Sequence, residues 1–208
     1  MKGLLIVGAG GHGKVVADAA LLMAQWNRIG FLDDHYPAIS GIACVPVLGV
    51  VDDAKSFLEE YSHVVVAIGD NRLRMKLLNA LAKRGLVEAV VVHPQAAVSQ
   101  GALLEGGTVV FAQAAVNYGA HIGRGGIVNT GATIDHDCFL SEGVHVSPGA
   151  HLAGNVCVGE YTWVGMGASI IAGVSLQADV MVGAGAVVLA DVPHCATIVG
   201  VPGRIIRQ

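Results

Sequence analysis

Charge is scarce in this chain. Only 12 Lys and Arg and 16 Asp and Glu occur among 208 residues, for a formal net charge of −4. From residue 98 to residue 188 the single cation is Arg124. A nucleic-acid binder needs a basic face to displace counterions from phosphates, so no nucleic-acid partner is expected. Cysteine is sparse as well: Cys44, Cys138, Cys157 and Cys195 show no CxxC spacing. They read as reduced thiols with no disulfide framework, and no metal is expected. Long apolar runs are missing although 53% of the residues are hydrophobic. Gly, His, Asp or Arg interrupts each stretch short of 18 residues, so the protein is not expected to be membrane-embedded. Met1-Lys2 leads into a short apolar strand without a cleavage signal, and a cytoplasmic location is the expectation.

What the chain does have is a period of six. An aliphatic residue recurs from Val98 to Val188 at every sixth position, through Leu104, Val110, Val116, Ile122, Val128, Ile134, Leu140, Val146, Leu152, Val158, Val164, Ile170, Leu176 and Val182. Neither a helix nor a simple strand repeats so. A small residue such as Ala114, Ala120, Ala132 or Ala150 often sits two places earlier. One buried aliphatic per hexad predicts a parallel β-helix of about five coils at three hexads per coil. Cys138 and Cys157 stand about one coil apart and are expected to be near each other. The tail, residues 198–208, is expected to leave the repeat, with Pro202-Gly203 breaking the strand pattern and Arg204 and Arg207 at the surface.

Residues 1–94 follow a different pattern. Apolar strands at 3–7, 28–32, 45–48, 63–68 and 87–92 alternate with helices expected at 14–25, 52–61 and 71–84. That alternation predicts a parallel sheet, here a Rossmann-like α/β unit. The expected organisation is therefore a nucleotide-sugar-binding domain (1–94), an all-β solenoid (95–197) and a tail (198–208).

Gly8-Ala9-Gly10-Gly11-His12-Gly13 follows the first strand and opens a helix. Glycines let a phosphate approach the backbone, and a helix N-terminus offers N–H donors and positive potential. Asp33 lies at the end of the second strand. The unit is too short for both halves of an NAD fold, and His12 would crowd a dinucleotide, so a nucleotide or nucleotide sugar fits better. A purely structural turn is the other reading. A second loop, Gly69-Asp70-Asn71-Arg72, opens the helix after the fourth strand. The loops at the carboxyl ends of these strands should converge. Arg72 is a candidate phosphate partner, whereas Arg74 reads as a solvated helix face.

Asp135-His136-Asp137 falls within one hexad. Ile134 takes the inward position, so His136 should stand at a corner or on an outer face. A neighbouring carboxylate fixes the imidazole tautomer and raises its basicity, as a general base near neutral pH requires. A surface histidine with solvated neighbours has the same residues. His121, His145 and His151 do not match a zinc pattern.

The chain resembles the left-handed β-helix acyltransferases of the sialic acid O-acetyltransferase type. Within them it is similar to the bacterial nucleotide-sugar N-acetyltransferases that make N,N′-diacetylbacillosamine precursors. The resemblance rests on Ile6 to Gly13, Phe31 to Asp34, Ala67 to Asn71, Val128-Asn129-Thr130, Asp135 to Cys138, His145 to Ala150 and Gly200-Val201-Pro202. It implies a homotrimer with acetyl-CoA lying along the solenoid between subunits and a nucleotide sugar on the N-terminal domain. It implies that His136 is the general base and that Asp137 raises its basicity. Gly10, Gly11, His12, Asp33, Asp34 and Gly69 would contact the nucleotide sugar, and His145, Met166 and Ala184 would contact acetyl-CoA. Asn129 or a backbone N–H is a candidate oxyanion donor. The expected activity is acetyl transfer to the 4-amino group of a UDP-linked 4-amino-4,6-dideoxy sugar, with Cys138 dispensable. The rivals are GDP-perosamine N-acetylation, sialic acid O-acetylation and a non-catalytic trimeric scaffold. The role of His12, in the sugar contact or in shaping the loop, is open.

Overall fold

The computed structural model describes residues 3–39, 41, 42 and 44–207. Met1-Lys2 and the final tail residue Gln208, both used above, lie outside the described residues. The chain divides into two compact units, residues 1–94 and 95–208.

The first unit has the order β1 (Gly3–Val7), α1 (Gly11–Met23), β2 (Arg28–Leu32), β3 (Gly41–Ile42), β4 (Val45–Gly49), β5 (His63–Val66), α2 (Asn71–Lys83), β6 (Val87–Glu88) and β7 (Val91–Val92). The sheet runs β3-β4-β2-β1-β5-β6 and is parallel except for the β3–β4 hairpin. Leu4, Leu5, Ile6 and Val7 are fully buried because β1 is the central strand with helices on its faces. The chain passes from β1 outward to β2 and β4, then returns to β5 on the other side of β1. That reversal is where open α/β sheets bind ligands.

Four local expectations need correction. Helix α1 begins at Gly11, inside the glycine loop, rather than at Lys14. Val51–Phe57 is a 3₁₀ helix instead of an α-helix to Tyr61. The fourth strand stops at Val66, short of Ile68. The expected strand 87–92 is broken: Val87–Glu88 pairs with β5, and Val91–Val92 packs against α1.

The second unit is a triangular, left-handed parallel β-helix of two-residue strands. One face stacks Val109–Val110, Ile127–Val128, His145–Val146, Trp163–Val164 and Met181–Val182. The second stacks Ala97–Val98 through Val187–Val188, and the third Leu103–Leu104 through Ser175–Leu176. From Val110 to Val188 every hexad aliphatic is buried. Val98 and Leu104, whose strands pair with one coil only, are half-buried.

The corners explain the period. From Gly107 to Gly185 every sixth residue has positive φ, and five of these are not glycine: Gln113, Asp137, Asn155, Tyr161 and Asp179. Each lies third in a tight turn. Ala120 N donates to Asn117 O at 3.2 Å, and Ala132 N donates to Asn129 O at 3.0 Å. A bond from the fourth residue to the first, with positive φ at the third, is the type II pattern. The tail departs from expectation. Ile198 is buried and pairs with Val182, and Arg204–Arg207 folds back antiparallel on Thr197–Val199. Arg204 and Arg207 are exposed as expected.

Gly131 separates backbone strain from crowding, since φ is +65° and an added Cβ would meet nothing within 4 Å. Gly131→Ala should cost about 1–2 kcal/mol in denaturant unfolding, and Gly131→Asn should cost less. Equal stability of all three would refute the strained corner.

Candidate active site

His136 and Asp137 occupy the corner between the second and third faces. His136 is second in the turn and points outward, and Asp137 is third, with φ 56°. Asp tolerates this left-handed backbone better than most residues. The twist brings sequence neighbours into contact: His136 Nδ1 lies 2.8 Å from Asp137 Oδ2. This bond, the largest effect, raises the His136 pKa above 6.5, and the nearby charges of Asp135 and Asp137 add to it. Both side chains are more than half exposed, so a substrate can reach the ring. With Nδ1–H donating to Asp137, Nε2 is the basic nitrogen.

The coils on either side make room for this pair. A Cβ on Gly154, one coil beyond, would sit 2.5 Å from the imidazole ring; a Cβ on Gly119, one coil before, would sit 2.5 Å from Asp137 Oδ1. Asp135 Oδ1 accepts from His136 N at 2.8 Å and from Asn117 Nδ2 at 2.9 Å, which holds the corner from behind. Sequence reasoning missed Gly119, Gly154 and Asn117. Adding or subtracting one coil of 18 residues from 137, 136 and 135 would have found them.

Cys138, next in the chain, is buried, and burial pushes its thiol pKa up. It suits a spectator. All four cysteines are free.

The other predicted solenoid residues lie elsewhere on the same chain. Asn129 follows a strand of the first face, where its Nδ2 lies 3.2 Å from His145 Nε2. His145 is buried and stacks on Trp163 at 4.8 Å. Met166 and Ala184 are exposed at the corner between the first and second faces, one coil apart. Within one chain the second face separates them from His136. That face carries a groove of about 390 Å³ lined by Asn117, Thr133, Asp135, His151, Ser169 and Ile171 among others.

In the first unit, a cavity of about 400 Å³ lies at the reversal of the sheet. Gly10, Gly11, His12, Asp33 and Asp34 line it, with Ile68 and Leu73 opposite. Gly69 does not line it; its neighbours Ala67 and Ile68 do. A Cβ on Gly10 or Gly11 would meet nothing within 4 Å, so packing does not require glycine there. Gly13 is different, because its Cβ would strike Gly8 O at 2.0 Å. Helix α1 has no side-chain N-cap, and its first turn borders the cavity. Asp33 Oδ2 accepts from Ala9 N at 2.7 Å and ties the loop to β2. Burial raises the Asp33 pKa, but hydrogen bonds from Ala9 and His35 outweigh it and hold the carboxylate ionised. Asp34 Oδ1 accepts from Val51 N at 3.1 Å.

Arg74 corrects an expectation. It is fully buried and not a solvated helix face. Its guanidinium donates to Ile68 O at 3.0 Å, Gly69 O at 3.3 Å and Asn71 Oδ1 at 2.8 Å, so it shapes the second loop. Burial lowers its pKa to about 10, with Asp70 opposing. His12 is brought down to about 4, first by burial and then by the charge of Arg74. The cavity therefore presents a neutral imidazole at pH 7.

Two outcomes follow by NMR titration. His12 should titrate near pH 4, and Arg74→Gln should raise that value while leaving it below 6.5, since burial is the larger cause. An unchanged His12 in the variant would refute the coupling. The unfolded chain binds the His12 proton more readily, so this residue's contribution to stability is lost as pH falls from about 6.5 toward 4.

Comparison with known proteins adds to this geometry. Residues 3–81 match the family described as the PglD N-terminal domain. The acetyltransferase domain of PglB from Neisseria gonorrhoeae FA1090, solved in complex with acetyl coenzyme A, is 40% identical; the match covers 99% of each chain with a TM-score of 0.95. PerB from Caulobacter crescentus, solved with CoA and GDP-perosamine, is 39% identical, with 99% of this chain and 97% of that one covered and a TM-score of 0.93. UDP-N-acetylbacillosamine N-acetyltransferase of Bacillus subtilis (strain 168) is 35% identical over 113 residues. That match spans 52% of this chain and about half, 51%, of the relative. With both units and the His136–Asp137 corner in place, the chain belongs to the hexapeptide-repeat acetyltransferases of the bacillosamine type.

Proposed function

We propose that the protein transfers the acetyl group of acetyl-CoA to the 4-amino group of a UDP-linked 4-amino-4,6-dideoxy sugar. The observation that carries the reading is the His136–Asp137 pair, an exposed imidazole with one nitrogen held by a carboxylate. The first unit recognises the nucleotide, with the α1 amides and neutral His12 facing its phosphates and sugar. Attack on a thioester needs a neutral amine. His136 Nε2 takes the amine proton as nitrogen bonds to the carbonyl carbon, and Asp137 stabilises the imidazolium that results. The tetrahedral intermediate collapses, the C–S bond breaks, and coenzyme A leaves as thiol with the proton returned. A backbone N–H or Asn129 Nδ2 faces the oxyanion, a contact worth roughly 3 kcal/mol.

One chain carries His136 on one corner and Met166 and Ala184 on another. This supports acetyl-CoA lying between two copies, in a trimer, where one copy supplies the base and the next supplies Met166, Ala184 and the His145–Asn129 edge. The acceptor has a second reading. PerB, complexed with GDP-perosamine, is nearly as similar as the PglB domain, which supports a GDP-linked 4-amino sugar as the alternative. Asp33 and Asp34 would choose between the nucleotides.

His136→Ala should cut turnover about a hundredfold or more, and Asp137→Asn should cut it less. The base works deprotonated, so the rate should fall on the acid side of a pKa above 6.5. Asp137→Asn should move that limb to lower pH. The assay is thiol release from acetyl-CoA with the UDP-linked amino sugar, checked against the GDP-linked sugar and free sialic acid. Reaction only with the GDP sugar moves the acceptor; an ordinary rate from His136→Ala removes the mechanism; silence with all three leaves a scaffold.

A further inference from the structure

The last coil of the solenoid is short. Trp163 pairs with Met181, eighteen residues on, but Met181 pairs with Thr197, only sixteen on. The hexad pattern is lost after Val188, and Val192 bridges to Leu176 two residues early. The shortened path lays His194 and Cys195 over the corner of the preceding coil. His194 N donates to Gln177 Oε1 at 3.0 Å, and Cys195 N donates to Ala178 O at 3.1 Å. Asp179 stands at that corner. One ligand atom each from Asp179, His194 and Cys195 lie within 4.8 Å of one another.

We propose that Asp179, His194 and Cys195 form a zinc-class metal site that clamps the terminal coil to the body of the solenoid. The donors are a carboxylate oxygen, an imidazole nitrogen and a thiolate sulfur. That mixed set suits a tetrahedral borderline cation, whereas Ca²⁺ and Mg²⁺ want oxygen alone. Bonds of about 2.0–2.3 Å require the donors to close to roughly 3.3–3.8 Å, within reach of side-chain rotation at an exposed corner. Asp179 is half-buried and the other two are exposed, so an ion can enter and keep water as fourth ligand. The carboxylate and thiolate together balance a divalent charge.

The placement has a physical use. A coil at the end of a solenoid has no further coil beyond it, and repeat arrays need a cap there; the Arg204–Arg207 strand covers Thr197–Val199, and the metal would hold the corner that precedes it. Asp179 and Cys195 both hold positive φ, 58° and 60°. Cysteine is seldom found there, and nine of the fourteen regular corners use glycine. The same corner of two neighbouring coils thus carries donor side chains where the backbone favours glycine. Among the described residues no other group of three such donors closes this tightly.

The test uses the full chain, stripped of metal and titrated with Co²⁺. The expected result is a thiolate-to-cobalt band in the near ultraviolet with visible bands of tetrahedral intensity, both displaced by Zn²⁺. Cys195→Ser should remove the near-ultraviolet band, and Cys157→Ser should leave it. Asp179→Asn and His194→Ala should weaken Co²⁺ binding at least about tenfold. Zn²⁺ should raise the unfolding temperature of the unsubstituted protein and not that of Cys195→Ser. Asp179→Asn keeps a residue that tolerates the corner and carries the test should Cys195→Ser fail to fold. No cobalt band, or a band that survives Cys195→Ser or Asp179→Asn at full affinity, would overturn the site. None of these readouts depends on the acetyl-transfer reading.

Discussion

A left-handed residue at every sixth position is the constraint from which the second unit is built. It turns the chain three times per coil, sends each hexad aliphatic inward and lets backbone bonds run from coil to coil. Glycine meets this demand most easily, and nine of the fourteen positions have it. Where another residue stands there, its side chain leaves the corner at a set angle. Asp137 is such a residue, and its carboxylate meets the ring of the preceding histidine for that reason. The His136–Asp137 pair is a decorated corner, and the strain of the turn is also the means of aiming it.

The first unit works by electrostatics in a small space. Arg74 is buried with its guanidinium on the carbonyls of the second loop, and burial of His12, aided by the charge of Arg74, keeps that imidazole neutral. Asp33 remains ionised against burial because two residues donate to it. The bare start of α1 supplies amides without a competing side chain. The cavity thus offers donors and a positive interior. The solenoid instead offers an exposed, carboxylate-assisted base.

The solenoid was legible because a single spacing repeats for sixteen hexads, and its inward set follows without further assumption. The corner conformation was not legible, since Gln113, Asn155 and Tyr161 share no composition with the glycines they replace. Asp137 beside His136 was visible as a pair; the cleft left by Gly119 and Gly154 required knowing which residues stack. In the first unit the glycine loop announced the cavity. Arg74 was misread because alternation along a helix distinguishes buried from exposed only for apolar residues, and a buried cation with carbonyl partners has the same letter as a solvated one. The tail was misjudged because the count of six fails after Val188, whereas Ile198 still stacks on Val182 through a coil two residues short.

Successive coils are nearly interchangeable as backbone. Asn155, one coil beyond Asp137, already holds φ 60°, and Gly173 beyond it holds φ 75°. The solenoid is therefore a ruler graduated in steps of about 4.8 Å, and the height of the His136–Asp137 pair along its axis is a discrete quantity set by which coil carries it. Moving the pair one coil means carrying its two flanking glycines with it, since Gly119 and Gly154 leave the room it occupies, but it needs no change of fold and none of the continuous adjustment that a loop-borne pair would need.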